Sequence, residues 1–217
     1  MYVTPPLEGT LEVQKPPIHL KRVMVFIDGG YLRSVVKEKI GEDFVNDPQK
    51  FAKVINKLIS NFITTSHAII GHFAFEIVRV YYYDAKPLPD DPKFKERDEY
   101  FNQLKKHIHH YYPFEMKFGR LIRAGKNGKE PRQKGVDVLL SIDMVVKAFM
   151  NHYDIAVLVA GDDDFLDAVK VVKDLTGKKV AGYYNPPEKA KPGTSLRLIE
   201  SFDYRFQLDW VYSKFKK

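Results

Sequence analysis

Residues 22–30 read RVMVFIDGG and are the strongest indication of the fold class in the chain. Five apolar residues follow Arg22 and stop abruptly at Asp28 and two glycines. A short apolar run bounded by glycine is typical of a strand that is buried on both faces, as in the centre of a parallel sheet. We therefore expect a central parallel strand that ends at Asp28.

Strand-like and helix-like segments alternate through the rest of the chain. The spacing of apolar residues predicts strands at 76–83, 114–122, 155–160, 178–184 and 206–212, and helices at 31–40, 48–63, 93–110, 135–152, 165–175 and 194–201. This alternation favours an α/β fold, namely a Rossmann-like three-layer sandwich with a mainly parallel central sheet.

The two polar or proline-rich stretches outside this pattern are expected to be irregular. Residues 1–20 carry four prolines and no usable period, so we expect an extended N-terminal arm followed by a single domain over 21–217. Residues 123–134 are polar, basic and glycine-containing, which predicts a surface loop.

Composition excludes several classes of protein. The chain of 217 residues has no cysteine, so disulfide scaffolds, zinc ribbons and thiol nucleophiles are excluded. No signal peptide and no membrane-spanning run is visible, and a soluble cytoplasmic protein without membrane association is the expectation. The net charge of +7 favours an anionic partner.

Aspartates stand where the predicted strands end. Asp28 closes the first strand, Asp162 and Asp164 follow the strand at 155–160, and Asp137 opens the long helix after the basic loop. Ligand sites of open parallel sheets form outside the carboxyl ends of the strands. The sequence therefore offers these four side chains as one acidic cluster, with Asp162 and Asp164 pointing the same way if their backbone is extended.

Such a cluster is costly without a cation, because converging carboxylates repel and raise one another's pKa. Mg²⁺ or Mn²⁺ removes that cost and prefers oxygen ligands. A hard cation held in a basic protein suits the hydrolysis of phosphodiester bonds, since the basic surface attracts the polyanion.

Each aspartate also has a simpler interpretation. Asp28 and Asp164 are ordinary N-cap candidates, and the helix dipole alone favours Asp137 in a first turn. Three further acids have weaker claims on the site: Asp163 is expected to point away into solvent, Asp143 to pair with Lys147, and Asp84 to lie in a loop.

A basic segment precedes Asp137. Between Gln103 and Lys134 nine lysines and arginines face two acids, together with three histidines and two tyrosines. Lys126, Arg132 and Lys134 are the expected phosphate contacts, although a solvated loop explains the charge equally well. The histidine spacing fits no standard metal site, and Tyr81–Tyr83 predicts strand core with one outward ring.

Three blocks of the chain resemble the NYN domain, in its LabA-like branch, which belongs to the PIN-like nuclease superfold. They read MVFIDGGYL (24–32), KGVDVLLSIDMVV (134–146) and DIAVLVAGDDDFLDAVKVVKDLTGKKV (154–180). The resemblance spans about residues 22–185 and implies a Rossmann-like sheet and metal-dependent ribonuclease activity. It also implies acidic metal ligands at Asp28, Asp137, Asp162 and Asp164.

Two positions depart from the family's pattern. Tyr31 stands where the first block commonly ends in asparagine, and Ala160 replaces the serine that commonly precedes Gly161 and Asp162. A polar contact from the first position and a serine hydroxyl at the second are therefore in doubt.

The leading hypothesis is a Mg²⁺- or Mn²⁺-dependent nuclease that cleaves RNA, expected to be single-stranded, although the preference for RNA over DNA stays open. A homodimer is compatible with this picture. The rival is a non-catalytic RNA-binding or regulatory protein that keeps the acids. A haloacid dehalogenase-type phosphatase is disfavoured by Gly30, where that chemistry needs an acid, and no GxGxxG motif supports dinucleotide binding.

Overall fold

The computed structural model describes residues 19–70, 73–87, 89–124, 130–187 and 192–215, with the backbone alone for 67–69, 120–124, 130–134 and 210. The strands are β1 (Leu20–Asp28), β2 (Ala74–Ala85), β3 (Phe114–Ala124), β4 (Glu130–Lys134), β5 (Ile155–Val159), β6 (Lys179–Tyr184) and β7 (Tyr204–Gln207). The helices are α1 (Gly29–Ile40), α2 (Glu42–Asn46), α3 (Pro48–Ile69), α4 (Phe94–His109), α5 (Val136–Phe149), α6 (Leu166–Thr176), α7 (Leu196–Ser201) and α8 (Asp209–Tyr212), with a 3₁₀ turn at Asp163–Phe165.

The strands form one sheet in the order β4-β3-β2-β1-β5-β6-β7. All neighbouring strands are parallel except β3 and β4, which pair antiparallel at one edge. The predicted α/β sandwich with a mainly parallel sheet is confirmed. In this register Ile27 of β1 lies opposite Tyr82 and Val159, so the carboxyl ends of β1, β2 and β5 are level.

The core lies in two layers, one on each face of the sheet. Val23, Val25 and Ile27 of β1 face a layer that contains α1, α3 and α4, whereas Met24 and Phe26 face α5 and α6. All five side chains are buried, as expected for a strand covered on both faces. Among the described residues, no helix combines the length and the apolarity needed to cross a bilayer.

The basic segment 123–134 is not a simple loop, because residues 130–134 form β4. Ala85, the last residue of β2, pairs with Gly119, so the later residues of β3 and their partner strand β4 extend beyond the carboxyl edge of the sheet. Apolar periodicity could not reveal this strand, since charged edge strands lack it.

Two smaller expectations are also corrected. The chain over 206–212 is divided between the end of β7 and the short helix α8, with Leu208 between them. All three rings of Tyr81–Tyr83 are buried, so none points outward. Most of the expected N-terminal arm, residues 1–18, lies outside the described residues.

Candidate functional site

Asp28 is the last residue of β1 and also the N-cap of α1. Its carboxylate accepts a hydrogen bond of 3.1 Å from the backbone N–H of Tyr31, so its interpretation as a helix cap is correct. The side chain is nevertheless buried, and burial raises the pKa of Asp28 to about 6 although the cap hydrogen bonds lower it. The charges of Asp137 and Asp162 contribute to this raised pKa.

Asp162 and Asp164 follow β5 at the same edge of the sheet. Asp162 has extended backbone, whereas Asp164 lies inside the 3₁₀ turn, so the expected extended arrangement of the pair is wrong. Neither side chain caps the turn or helix α6, so the N-cap interpretation of Asp164 does not hold. Both side chains are exposed and free to take an external ligand.

Asp137 reaches the same edge of the sheet by way of β4, which runs antiparallel to its neighbour β3. It lies in the first turn of α5, after Gly135, whose φ of 82° allows the sharp entry from β4. Partial burial raises the pKa of Asp137, and the charges of Asp162 and Asp164 raise it further. Asp28, Asp137 and Asp162 are therefore within electrostatic range of one another, and Asp164 is within that range of Asp137.

The chemistry of the four side chains fits a hard divalent cation. Within the described residues none of them forms an ion pair, and every donor atom is a carboxylate oxygen, the type that Mg²⁺ and Mn²⁺ prefer. In the same part of the chain no three acidic or histidine side chains form a ready-made cage. Mg²⁺ needs none, since it usually keeps several waters and takes only one or two carboxylates.

The other aspartates of the region are neutralised by cations. Asp84 is not a loop residue but a buried member of β2, where it pairs with the Arg33 guanidinium and accepts a 3.0 Å hydrogen bond from Tyr82 Oη. Asp143 pairs with Lys147, as expected, and also with Lys117 at 2.6 Å. These two carboxylates are structural and stand apart from the acidic cluster.

Asp163 points away from its two neighbours, but it is not simply solvated. Ser195 donates a short hydrogen bond to one of its oxygens, and Arg197 lies 3.3 Å from the other. The backbone N–H of Ser195 also donates to Gly161 O at 2.8 Å. The turn that carries Asp162 and Asp164 is therefore fastened to the start of α7.

Tyr31 is a supporting residue that the sequence analysis missed. A Cβ on Gly161 would lie 2.4 Å from the Tyr31 ring, so this glycine allows the β5 turn to pack directly against the start of α1. The Tyr31 hydroxyl lies 2.6 Å from Thr194 Oγ1, and burial raises its pKa to about 12. Tyr31 thus links the segments that carry Asp28 and Asp162.

The predicted basic surface divides into two parts. Helix α4 runs back from the carboxyl end of β2, so its C-terminal turn, with Lys105, Lys106 and the histidines, lies at the opposite edge from the aspartates. The β3–β4 segment lies at the same edge as the aspartates. Lys126 lies outside the described residues, and Arg132 and Lys134 belong to β4, of which the backbone alone is described.

The model of the NYN domain family matches residues 22–209, which is most of the chain. The chain belongs to the NYN domain family. No curated protein matches it. A solved structure with which this NYN domain shares its fold is VPA0982 of Vibrio parahaemolyticus, a protein of unknown function. The two are 18% identical with a TM-score of 0.52, over 89% of this chain and 96% of the other.

Proposed function

We propose that this NYN domain is a Mg²⁺- or Mn²⁺-dependent ribonuclease that hydrolyses phosphodiester bonds of single-stranded RNA. One observation carries the proposal: four aspartates from three separate segments lie toward the carboxyl edge of a parallel sheet, with Asp28, Asp137 and Asp162 in electrostatic range of one another, and no cation in the described part of the chain pairs with them. Family membership supports it, since the NYN domain points to the PIN-like nuclease superfamily.

The four carboxylates have different proposed roles in binding the cation, according to their positions. Asp28, at the end of β1, and Asp162 and Asp164, just after the adjacent strand β5, would hold the cation, and Asp137 would complete the site directly or through water. A divalent cation bound there would polarise a phosphoryl oxygen and lower the pKa of a bound water. The cap hydrogen bond from Tyr31 N–H restricts the orientation of the Asp28 carboxylate.

The β3–β4 segment supplies the attraction for the polyanion. Residues 120–134 carry six lysines and arginines against one glutamate. The described parts of this segment, the end of β3 and all of β4, extend past the carboxyl edge, and β4 ends three residues before Asp137. We assign phosphate contacts to Lys126, Arg132 and Lys134 on this ground. Such contacts neutralise phosphates irrespective of the base sequence.

The deciding experiment compares cleavage of labelled single-stranded RNA and DNA with and without Mn²⁺. Asp28→Asn and Asp162→Asn should each lower metal-dependent RNA cleavage by about a hundredfold or more, because each removes a charged ligand. The fold should survive Asp28→Asn, since the amide oxygen can still accept the cap hydrogen bond.

Asp167→Asn is the matched control, because that carboxylate lies just after the site on α6 with a side chain 95% exposed. It should leave cleavage unchanged. Full activity in both site variants, after contaminating nuclease has been excluded, contradicts the assignment.

RNA binding without cleavage is the second candidate, and the basic segment beside the site favours it independently of the acids. It predicts RNA affinity that falls steeply with salt, no metal-dependent turnover, and no loss of binding in Asp28→Asn. From the resemblance of its three sequence blocks to the LabA-like branch, we also propose that the chain belongs to that branch of the NYN domain family. We expect the protein to be cytoplasmic.

A further inference from the structure

Helix α5 is apolar on its outer face as well as on its inner face. Val136, Leu140, Met144 and Ala148 pack into the core, whereas the outer face exposes Val138, Ile142, Val146, Phe149 and Met150, each by 45 to 61% of its surface. A helix that is apolar all round is normally covered on all sides. No described part of the chain covers this outer face, which we call the α5 stripe.

The α5 stripe carries no charge. The nearest ionic groups, Asp143 and Lys147, lie on the flank that faces β2 and β3, where Asp143 accepts from Tyr83 Oη at 2.8 Å and Lys147 lies over the Tyr81 ring. The two also pair with each other. The stripe therefore contains none of the lysine or arginine side chains to which a polyanion would bind.

We propose that the α5 stripe is a homodimer interface, in which two copies of α5 pack antiparallel about a two-fold axis. A two-fold interface must be complementary to itself, and an uncharged apolar stripe meets this requirement without placing like charges together. The exposed apolar residues are also spaced nearly symmetrically about the middle of α5. Antiparallel pairing centred at Met144 places Ile142 opposite Val146 and Val138 opposite Met150 of the second copy.

The size of the patch agrees with this role. The five side chains expose an apolar surface on the order of 500 Å², which is at the upper end of what monomeric proteins carry. Leu175 at the end of the neighbouring helix α6 is also exposed. A standard interface buries about 800 Å² per partner, so the stripe is large enough to form the apolar centre of one.

Antiparallel pairing keeps the two acidic clusters apart. Each Asp137 lies about seven residues from the centre of the pair, so the two lie about 20 Å apart along the helix axes at ~1.5 Å per residue. Neither cluster therefore contributes residues to the other, and the proposed cleavage does not require the dimer.

Sedimentation of the full chain over a range of concentrations tests the interface. The wild type should be dimeric, and Ile142→Glu and Phe149→Glu should each raise the dissociation constant by roughly 30-fold or more, because each buries an unpaired charge at the interface. Leu196→Glu is the matched control, since Leu196 is 57% exposed on α7, away from the stripe. It should leave the dimer intact.

The register can be tested separately because the chain has no cysteine. An oxidised equal mixture of the Ile142→Cys and Val146→Cys proteins should give mainly the mixed disulfide, since these positions face each other across the axis. A monomeric wild type, a dimer that survives both glutamate variants, or disulfides formed only between identical variants would overturn the proposal. None of these outcomes depends on nuclease activity.

Discussion

The Asp28 side chain caps helix α1 and also carries a charge that its surroundings do not neutralise. The cap hydrogen bonds lower the pKa of Asp28, but burial and the two facing carboxylates outweigh them and raise the pKa to about 6. A residue that served only as a cap would not need acidic neighbours. The excess of negative charge is what distinguishes a candidate ligand site from a helix start.

Gly161 is the residue whose replacement most directly tests how the site is assembled. Gly161→Ala should cost about 1–3 kcal/mol in the free energy of unfolding, because the new methyl group overlaps the buried Tyr31 ring. It should also reduce cleavage, since relief of the overlap moves the Asp162 turn away from Asp28. Denaturant unfolding and the cleavage assay measure the two effects.

A double-mutant cycle supplies the control. In a Tyr31→Ala background the same glycine substitution should cost much less, because the ring that it strikes is gone. Strictly additive losses would show that the contact between Gly161 and Tyr31 is not the cause.

At the scale of elements, a buried ion pair joins α1 to β2. The Arg33 guanidinium forms two contacts with the Asp84 carboxylate, one of them 2.9 Å long, and also donates to Tyr82 Oη at 3.0 Å. Gly29 lets α1 begin directly over the Tyr82 ring, which lies 2.4 Å from where a Cβ would stand. The direction in which α1 leaves Asp28 is therefore set by β2.

Asp84→Asn should destabilise the protein by about 3 kcal/mol or more, because it leaves the Arg33 charge buried without its partner. Urea unfolding measures the loss. Asp98→Asn, which breaks the more exposed Lys86–Asp98 pair at 2.7 Å, is the control and should have little effect. Equal losses in the two variants would contradict the buried role of Asp84.

At the scale of the whole molecule, the amino edge of the sheet is held by a second ion pair. Asp154, just before β5, accepts from Arg22 through its backbone N–H at 2.9 Å and its Nη2 at 2.9 Å. Burial alone would raise the pKa of Asp154, but hydrogen bonds from Arg22 and the charges of Arg22 and Lys178 lower it to about 2. The central strands β1 and β5 are thus linked at the amino edge by this ion pair and at the carboxyl edge by the packing of Tyr31 against Gly161.

Because the pKa of Asp154 is lowered in the folded protein, this ion pair should make the protein more stable at neutral pH than at low pH. The pair stabilises the folded protein fully above the unfolded pKa of about 4, by about 2 kcal/mol, and this contribution is lost as pH falls toward 2. Urea unfolding of the wild type and of Asp154→Asn should therefore differ at pH 6 and converge near pH 2. A difference that is constant across this range would contradict the assignment.

The parallel sheet and the location of Asp28 and Asp162 at the ends of strands could be predicted from the amino-acid sequence. Apolar runs such as 23–27 and 155–160, each ended by glycine and aspartate, are local signals, and parallel strands bring their carboxyl ends to one edge whatever the loops do. The adjacency of Asp28 and Asp162 within that edge depends in addition on the pairing of β1 with β5, which no local signal predicts.

Which charges remain unpaired and which surfaces remain uncovered depends on contacts between distant parts of the chain. Asp84 pairs with Arg33, which is 51 residues away in the sequence, and Asp163 pairs with Arg197, which is 34 residues away. No local sequence pattern therefore separates these neutralised acids from Asp137. The second apolar face of α5 also looks like core in the sequence. Apolar residues have the same periodicity whether a neighbouring element covers them or not, and coverage is a property of the assembled chain.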